Sequence, residues 1–136
     1  MNEYTVQAYF ANIYIGSAEG YGGRKFFEHE LIIAVSEFQK ALEAKPIEGI
    51  ASLVSVRITP TIFLVKDYME DGWEISAINY PGFRKEPKEI QLYMEMMAKY
   101  LLKKFNQNRV TLMTSDFAVT FEKEDAEEHP PQNKPV

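Results

Sequence analysis

Asn79-Tyr80-Pro81-Gly82-Phe83-Arg84 places an amide, two aromatic rings and a guanidinium in six consecutive residues. The proline and glycine at its centre stop any strand that reaches them and expose backbone donors and acceptors at the bend. Amides read the edge of a base, rings stack on its face, and a guanidinium grips phosphate with two parallel hydrogen bonds. The run therefore suits a nucleotide-like ligand. It suits equally an ordinary strand-to-helix turn whose aromatics dock on the core, and the residues alone leave both readings open.

The chain has four arginines, Arg24, Arg57, Arg84 and Arg109, against eleven lysines. Arg57 lies within an apolar run and alternates with Ser55, which puts both on one face of a strand. Arg109 follows the amide-rich Asn106-Gln107-Asn108. Each has a bland role available: Arg57 as a solvent-facing strand residue, Arg109 as a cation favoured at a helix C-terminus. Phosphate binding is the sharper reading. Gly16-Ser17-Ala18-Glu19-Gly20-Tyr21-Gly22-Gly23-Arg24 is a glycine-rich loop leading into a helix. Such loops can wrap phosphates with backbone amides, although this spacing fits neither a Walker loop nor a dinucleotide fingerprint, and a flexible connector is the alternative. Among the aromatics that could stack on a base (Tyr80, Phe83, Tyr21, Tyr14 and Phe10), Phe83 and Tyr80 stand out by their place beside glycine and proline, and Tyr21 comes third.

Residues for catalysis and metal binding are sparse. There is no cysteine, which excludes disulfides, thiolate nucleophiles and cysteine zinc sites. His29 and His129 are about a hundred residues apart and suggest neither a metal pair nor a general base. No nucleophile elbow or pair of His-x-Thr segments is present. A paired-carboxylate hydrolase stays open, since two glutamates can meet in space unseen from sequence. No catalytic residue, metal or cofactor is expected.

At 136 residues with 46% hydrophobic and 13% aromatic content, one folded domain is expected over residues 1–122. Residues 123–136 carry acidic residues and prolines and read as a disordered tail. A net charge of −5 argues against long nucleic acids and membrane surfaces but leaves room for a small anion in a locally positive pocket. With no long apolar run and no secretory signal, a cytoplasmic location is expected.

The elements that must position these groups follow from periodicity. Residues 5–15 alternate as a first, central or near-central strand, and 26–44 carry apolar residues at helical spacing. A long extended stretch, 53–65, is interrupted by Pro60, which marks a bulge, bend or edge. Met69-Glu70-Asp71-Gly72 is turn chemistry, and Trp73–Ile78 returns as a partner strand, either with Ile75 and Ala77 inward or in the opposite register. Pro87 opens a second helix reaching Asn106, whose Met94, Met96 and Met97 read as packing and whose apolar stripe could serve as core or as a subunit interface. Residues 109–113 and 117–121 form a final hairpin. The expected fold is α+β, in the order β-α-β-β-α-β-β, with two helices on a mainly antiparallel sheet.

The Tyr-Ile-Gly start of the glycine loop, the Ile-Asn-Tyr-Pro-Gly-Phe-Arg corner and the run Leu-Leu-Lys-Lys-Phe-Asn-Gln-Asn-Arg-Val-Thr-Leu together resemble the phage anti-Thoeris proteins of the first type. The likeness spans roughly residues 5–121. It implies a non-catalytic protein of the host cytoplasm that sequesters glyco-cyclic ADP-ribose, an immune signal, and assembles as a homo-oligomer with ligand pockets between subunits. For some members it also implies a separate site for cyclic di- or trinucleotides. On this chain the resemblance assigns Arg57, Arg109, Asn79 and Phe83 to the ADP-ribose-type pocket, with Arg24 and Arg84 as weaker assignments to a second nucleotide site. A hydrolase of the same nucleotides, or a phage interaction protein without a ligand, are the competing expectations.

Overall fold

The computed structural model describes residues 1–50 and 53–128. Five strands form one antiparallel sheet: β1 (Ala11–Gly16), β2 (Ser55–Val65), β3 (Tyr68–Ile78), β4 (Arg109–Thr114) and β5 (Ala118–Glu122). Their order across the sheet is β2-β3-β1-β4-β5, so β1 is central. Two helices, α1 (Glu28–Ala44) and α2 (Pro87–Lys104), cover one face. The expected α+β class and element order are those observed. No helix among the described residues is long and apolar enough to cross a membrane.

The period of two in each strand sorts the side chains. Ile13, Ile15, Ile75, Val110 and Leu112 are at most 1% exposed and meet the helices. On α2, Ile90, Tyr93, Met94, Met97 and Leu101 are fully buried against this layer, so the apolar stripe of the helix is spent in the chain's own core. α1 packs on α2 through Phe38, whose ring meets Tyr93 edge-on at 5.6 Å. Among the described residues, the opposite face of the sheet carries no helix.

Two local expectations need correction. β1 begins at Ala11 rather than at residue 5. Its neighbours run out there: β3 ends at Ile78, and on the other side the chain turns at Ser115, whose amide donates to the Phe10 carbonyl at 3.1 Å. Residues 69–72 belong to β3, and the hairpin turn is Lys66-Asp67, flanked by the pair Val65 and Tyr68. Lys66 takes the positive φ of 55° that such a two-residue turn requires. Gly72, read as a turn residue, is inside a strand because a side chain there would strike the neighbouring backbone, as shown below. Pro60 resolves to an edge: it sits in β2, paired with Trp73, where its missing N–H costs no ladder bond on the open side.

The end of α2 aims the chain toward the site. Asn106, at φ 45°, is the left-handed residue after the helix; its amide donates to the Lys103 carbonyl at 3.3 Å, and the Gln107 amide donates to the Leu102 carbonyl at 2.9 Å. This paired closure ends the helix and turns Gln107, Asn108 and Arg109 back along the sheet. The expected tail is described as far as residue 128. Within it the Lys123 amide donates to the Asn108 carbonyl and the Glu127 amide to Asn108 Oδ1 at 2.9 Å, while residues 129–136 lie outside the described residues.

Candidate functional site

On the open face, Gly16 and Gly72 are cross-strand partners. Neither has a side chain, and the space this leaves is taken by the Glu70 carboxylate over Gly16 and by the Phe63 ring and the Ile15 carbonyl at Gly72. A Cβ on Gly72 would overlap the Ile15 carbonyl oxygen and lie 2.7 Å from the Phe63 ring; one on Gly16 would overlap the Glu70 carboxylate. Beside them lies a notch of about 200 Å³, floored at Gly16 and walled by Tyr14, Phe63, Glu70, Tyr21, Gln107, Asn108 and Arg109.

Each wall comes from a different element. Glu70 stands on β3 and accepts a hydrogen bond from the Tyr68 hydroxyl at 3.0 Å. Burial first, and then this bond to Glu70, push the Tyr68 phenol up to about 12. Among the described residues no cation pairs with Glu70. Arg109, at the start of β4, donates from Nε to Glu122 at 2.6 Å and from a terminal nitrogen to the Tyr21 hydroxyl at 2.7 Å. Burial works against its charge, but Glu122 and Tyr21 outweigh burial and hold the guanidinium above the ordinary arginine range. Asn108 is 3% exposed, and its Nδ2 has no partner among the described residues. A buried donor left open at the edge of a cavity is expensive unless something fills it.

The glycine-rich loop is a fixed wall of this notch. Its amides are used internally: Ser17 donates to the Asp71 carbonyl, Glu19 to Arg24, Gly20 to Asn106 and Gly23 to Glu19. Gln107 Nε2 donates to the Ala18 carbonyl at 2.7 Å. Phe26 anchors the far end, stacked on Phe105 at 3.9 Å and against Trp73 at 5.3 Å. These four amides are therefore not offered to a ligand, and the loop contributes Tyr21 and shape to the notch.

A second concavity of about 430 Å³ lies on the same open face, lined among others by Arg57, Asn12, Glu74, Ser76 and Asn79. Register places Arg57 opposite Ser76, and Ser76 opposite Asn12. Arg57 is exposed, with no carboxylate paired to it among the described residues. Three strand spacings of about 4.8 Å and four residues of about 3.3 Å separate Arg57 from Arg109, roughly 20 Å in all. Both face the same way, in different concavities. Asn79 is committed to its own corner: its Nδ2 donates to the Lys85 carbonyl at 3.1 Å, and its Oδ1 accepts from the Lys85 amide at 2.8 Å.

Tyr80, with Pro81, Gly82, Leu53, Val54 and Ile78, lines a third cavity of about 550 Å³ at the end of β2 and β3. Pro81–Phe83 form a single 3-10 turn; the expectation for the Phe83 ring lies outside the described residues. Arg84 is exposed just beyond that turn. Arg24 is held by Glu19 at 3.5 Å and Glu30 at 3.2 Å and fastens the loop to the start of α1, away from the notch. Of the eight residues read from sequence, the structure brings Arg109 and Tyr21 together, and Arg57 with Asn79. Glu70, Gln107 and Asn108 were missed. Glu70 was hidden in what read as a turn, and Asn106-Gln107-Asn108 was noted only as amide-rich.

No family model and no curated protein matches this chain. Among solved structures, a phage SAM lyase in complex with S-methyl-5′-thioadenosine superposes with a TM-score of 0.66 at 15% identity, covering 93% of this chain and 98% of that one. The same kind of protein in its apo state superposes with a TM-score of 0.58 at 16% identity, covering 88% and 92%. The fold is shared with phage SAM lyase. The expectation of a non-catalytic protein is corrected by this finding: the solved neighbours with this architecture are enzymes, and one of them holds a nucleoside.

Proposed function

We propose that this chain is a phage protein that binds an adenosine-containing small molecule on the open face of its sheet, centred on the glycine-floored notch. One observation carries the reading: Glu70, Arg109, Tyr21, Gln107 and Asn108 converge around Gly16, on a fold that holds S-methyl-5′-thioadenosine in a solved neighbour. The rings of Tyr14 and Phe63 offer apolar surface to a base, and the Asn108 Nδ2 donor gains an acceptor. The notch admits the sugar and its 5′ substituent, and the rest of the ligand lies along the sheet.

Charge favours S-adenosylmethionine as the ligand. Arg109 is neutralised by Glu122, whereas no cation among the described residues pairs with Glu70 beside the cavity, which suits a sulfonium cation. Lyase chemistry on that ligand needs no water. The ligand's own carboxylate oxygen bonds to the γ-carbon, the sulfur–carbon bond breaks with its electron pair going to sulfur, and S-methyl-5′-thioadenosine leaves beside a four-carbon lactone. Glu70 stabilises the sulfonium as bound, and Arg109 orients the attacking carboxylate.

A second reading, a cyclic ADP-ribose as ligand, is supported by the anti-Thoeris resemblance and by the two arginines on one face. Since Arg57 and Arg109 are roughly 20 Å apart within one chain, a compact ligand would touch both only where two copies meet, so this reading requires a homo-oligomer in the host cytoplasm. One experiment separates the two readings. Thermal shifts are measured with S-adenosylmethionine, S-methyl-5′-thioadenosine and glyco-cyclic ADP-ribose, and the recovered small molecules are analysed by chromatography. Conversion of S-adenosylmethionine that is lost in Glu70→Gln supports the first reading; a shift confined to the cyclic compound supports the second. No shift with any of the three removes the proposal.

A further inference from the structure

The groups that would meet a ligand's anionic part are already engaged by the chain's own acidic end. Between Glu122 and Glu128 lie five acidic residues and one lysine. Glu122 holds Arg109 at 2.6 Å. The chain then turns at Lys123–Ala126, pinned by the Lys123 amide on the Asn108 carbonyl at 3.1 Å and by Lys123 Nζ on Asn106 Oδ1 at 3.3 Å. Its next contact is the Glu127 amide on Asn108 Oδ1. The Glu127 carboxylate lies over Gly20, where an added Cβ would be 2.9 Å from its Oε1 and 3.8 Å from Asn108 Nδ2. Gly20 and Asn108 are both walls of the notch.

We propose that residues 122–128 form an acidic strap that competes with the anionic group of an incoming ligand, Glu122 for Arg109 and Glu127 for the mouth of the notch at Gly20 and Asn108. The strap is attached weakly enough to move. The Glu122 side chain is 53% exposed against 26% for Arg109, so the carboxylate can swing into solvent while the arginine stays. Releasing Glu127 costs one backbone hydrogen bond to a side chain. A phosphate or carboxylate that takes Arg109 replaces one ion pair with another and fills the space Glu127 covers. Occupancy of the site is thereby coupled to detachment of the strap, and the coupling is reciprocal.

This inference rests on the notch being the ligand site, but its test does not depend on the ligand being an adenosine compound. Inorganic pyrophosphate is titrated by calorimetry at low salt into the full chain and into the Glu122→Gln/Glu127→Gln double variant, and amide exchange at Glu127 is followed in the full chain. The expected result is about tenfold tighter pyrophosphate binding in the double variant, the scale of one charge-assisted hydrogen bond released. Faster exchange at Glu127 on adding pyrophosphate, with the β1 amides unchanged, is expected alongside. Affinities within twofold of each other, no pyrophosphate binding to either chain, or unaltered Glu127 exchange would overturn the strap. A parallel titration with S-methyl-5′-thioadenosine isolates the other question: its failure to bind removes the adenosine reading while the pyrophosphate comparison still decides on the strap.

Discussion

Gly16 and Gly72 face each other across β1 and β3, yet an added methyl should cost very different amounts at the two positions. At Gly72 the new Cβ overlaps the Ile15 carbonyl oxygen and stands 3.1 Å from Gly16 Cα, both backbone atoms of the central strand. Neither can yield unless the β1–β3 pairing opens. Overpacking against backbone places the cost of Gly72→Ala at about 3 kcal/mol, a fall in melting temperature of roughly 10 °C for a domain of this size. At Gly16 the obstacle is the free end of the Glu70 side chain, which can rotate away. That motion gives up the Tyr68–Glu70 hydrogen bond, for about 1 kcal/mol. Gly16→Ala should therefore lower the Tyr68 phenol from about 12 toward the ordinary tyrosine range, because burial remains but the bond to Glu70 is lost. Urea unfolding of both variants and a spectrophotometric alkaline titration measure these quantities. Equal stability losses, or a Gly72→Ala variant within 0.5 kcal/mol of the parent on that scale of overpacking costs, would refute the steric reading of Gly72 against β1.

Arg109→Ala should change stability by less than about 1 kcal/mol, since its ion pair is half in solvent, while abolishing the thermal shift from any ligand of the notch; a retained shift places the ligand elsewhere. Phe26→Ala should cost about 3 to 4 kcal/mol by emptying a fully buried ring site, and should raise amide exchange at Glu19 and Gly20 because Phe26 pins the end of their loop. Asn79→Ala removes two hydrogen bonds to Lys85 and should cost about 1 to 3 kcal/mol; an unchanged urea midpoint would show that the corner is held by other contacts. The folded Tyr68 phenol keeps its proton to about 12, whereas an unperturbed tyrosine releases it near 10.0, so the folded state binds more protons between those values. Stability should accordingly fall as pH climbs through that window and flatten in Tyr68→Phe, as read from urea midpoints at successive pH values.

Much of the architecture was legible. Alternation in β1, the three- and four-residue spacing on α2 and the proline at its start are local consequences of burying one face, so they appear in the order of residues. The boundaries that misled were those set by partners. Residues 5–10 alternate as well as β1 does but pair with no strand among the described residues, and 69–72 have turn composition but continue β3 because β2 pairs with them throughout. Gly72 looked like punctuation when its meaning was steric.

For the site, composition alone determined which chemistries this chain lacks the residues for, among them thiolate and disulfide chemistry, and that its arginines were few enough to be informative. It also determined that Arg57 and Ser55 share a strand face, since a period of two allows nothing else. Which groups meet was decided by tertiary structure. Glu70, Arg109 and Asn108 are brought together around Gly16 by strand register and by the left-handed Asn106 that turns the chain after α2. Register is a relation between strands far apart in sequence, set by the packing of the whole core. No short run of residues encodes it, so the corner that looked richest in ligand-binding groups lies apart from the notch where acid, base and amide converge.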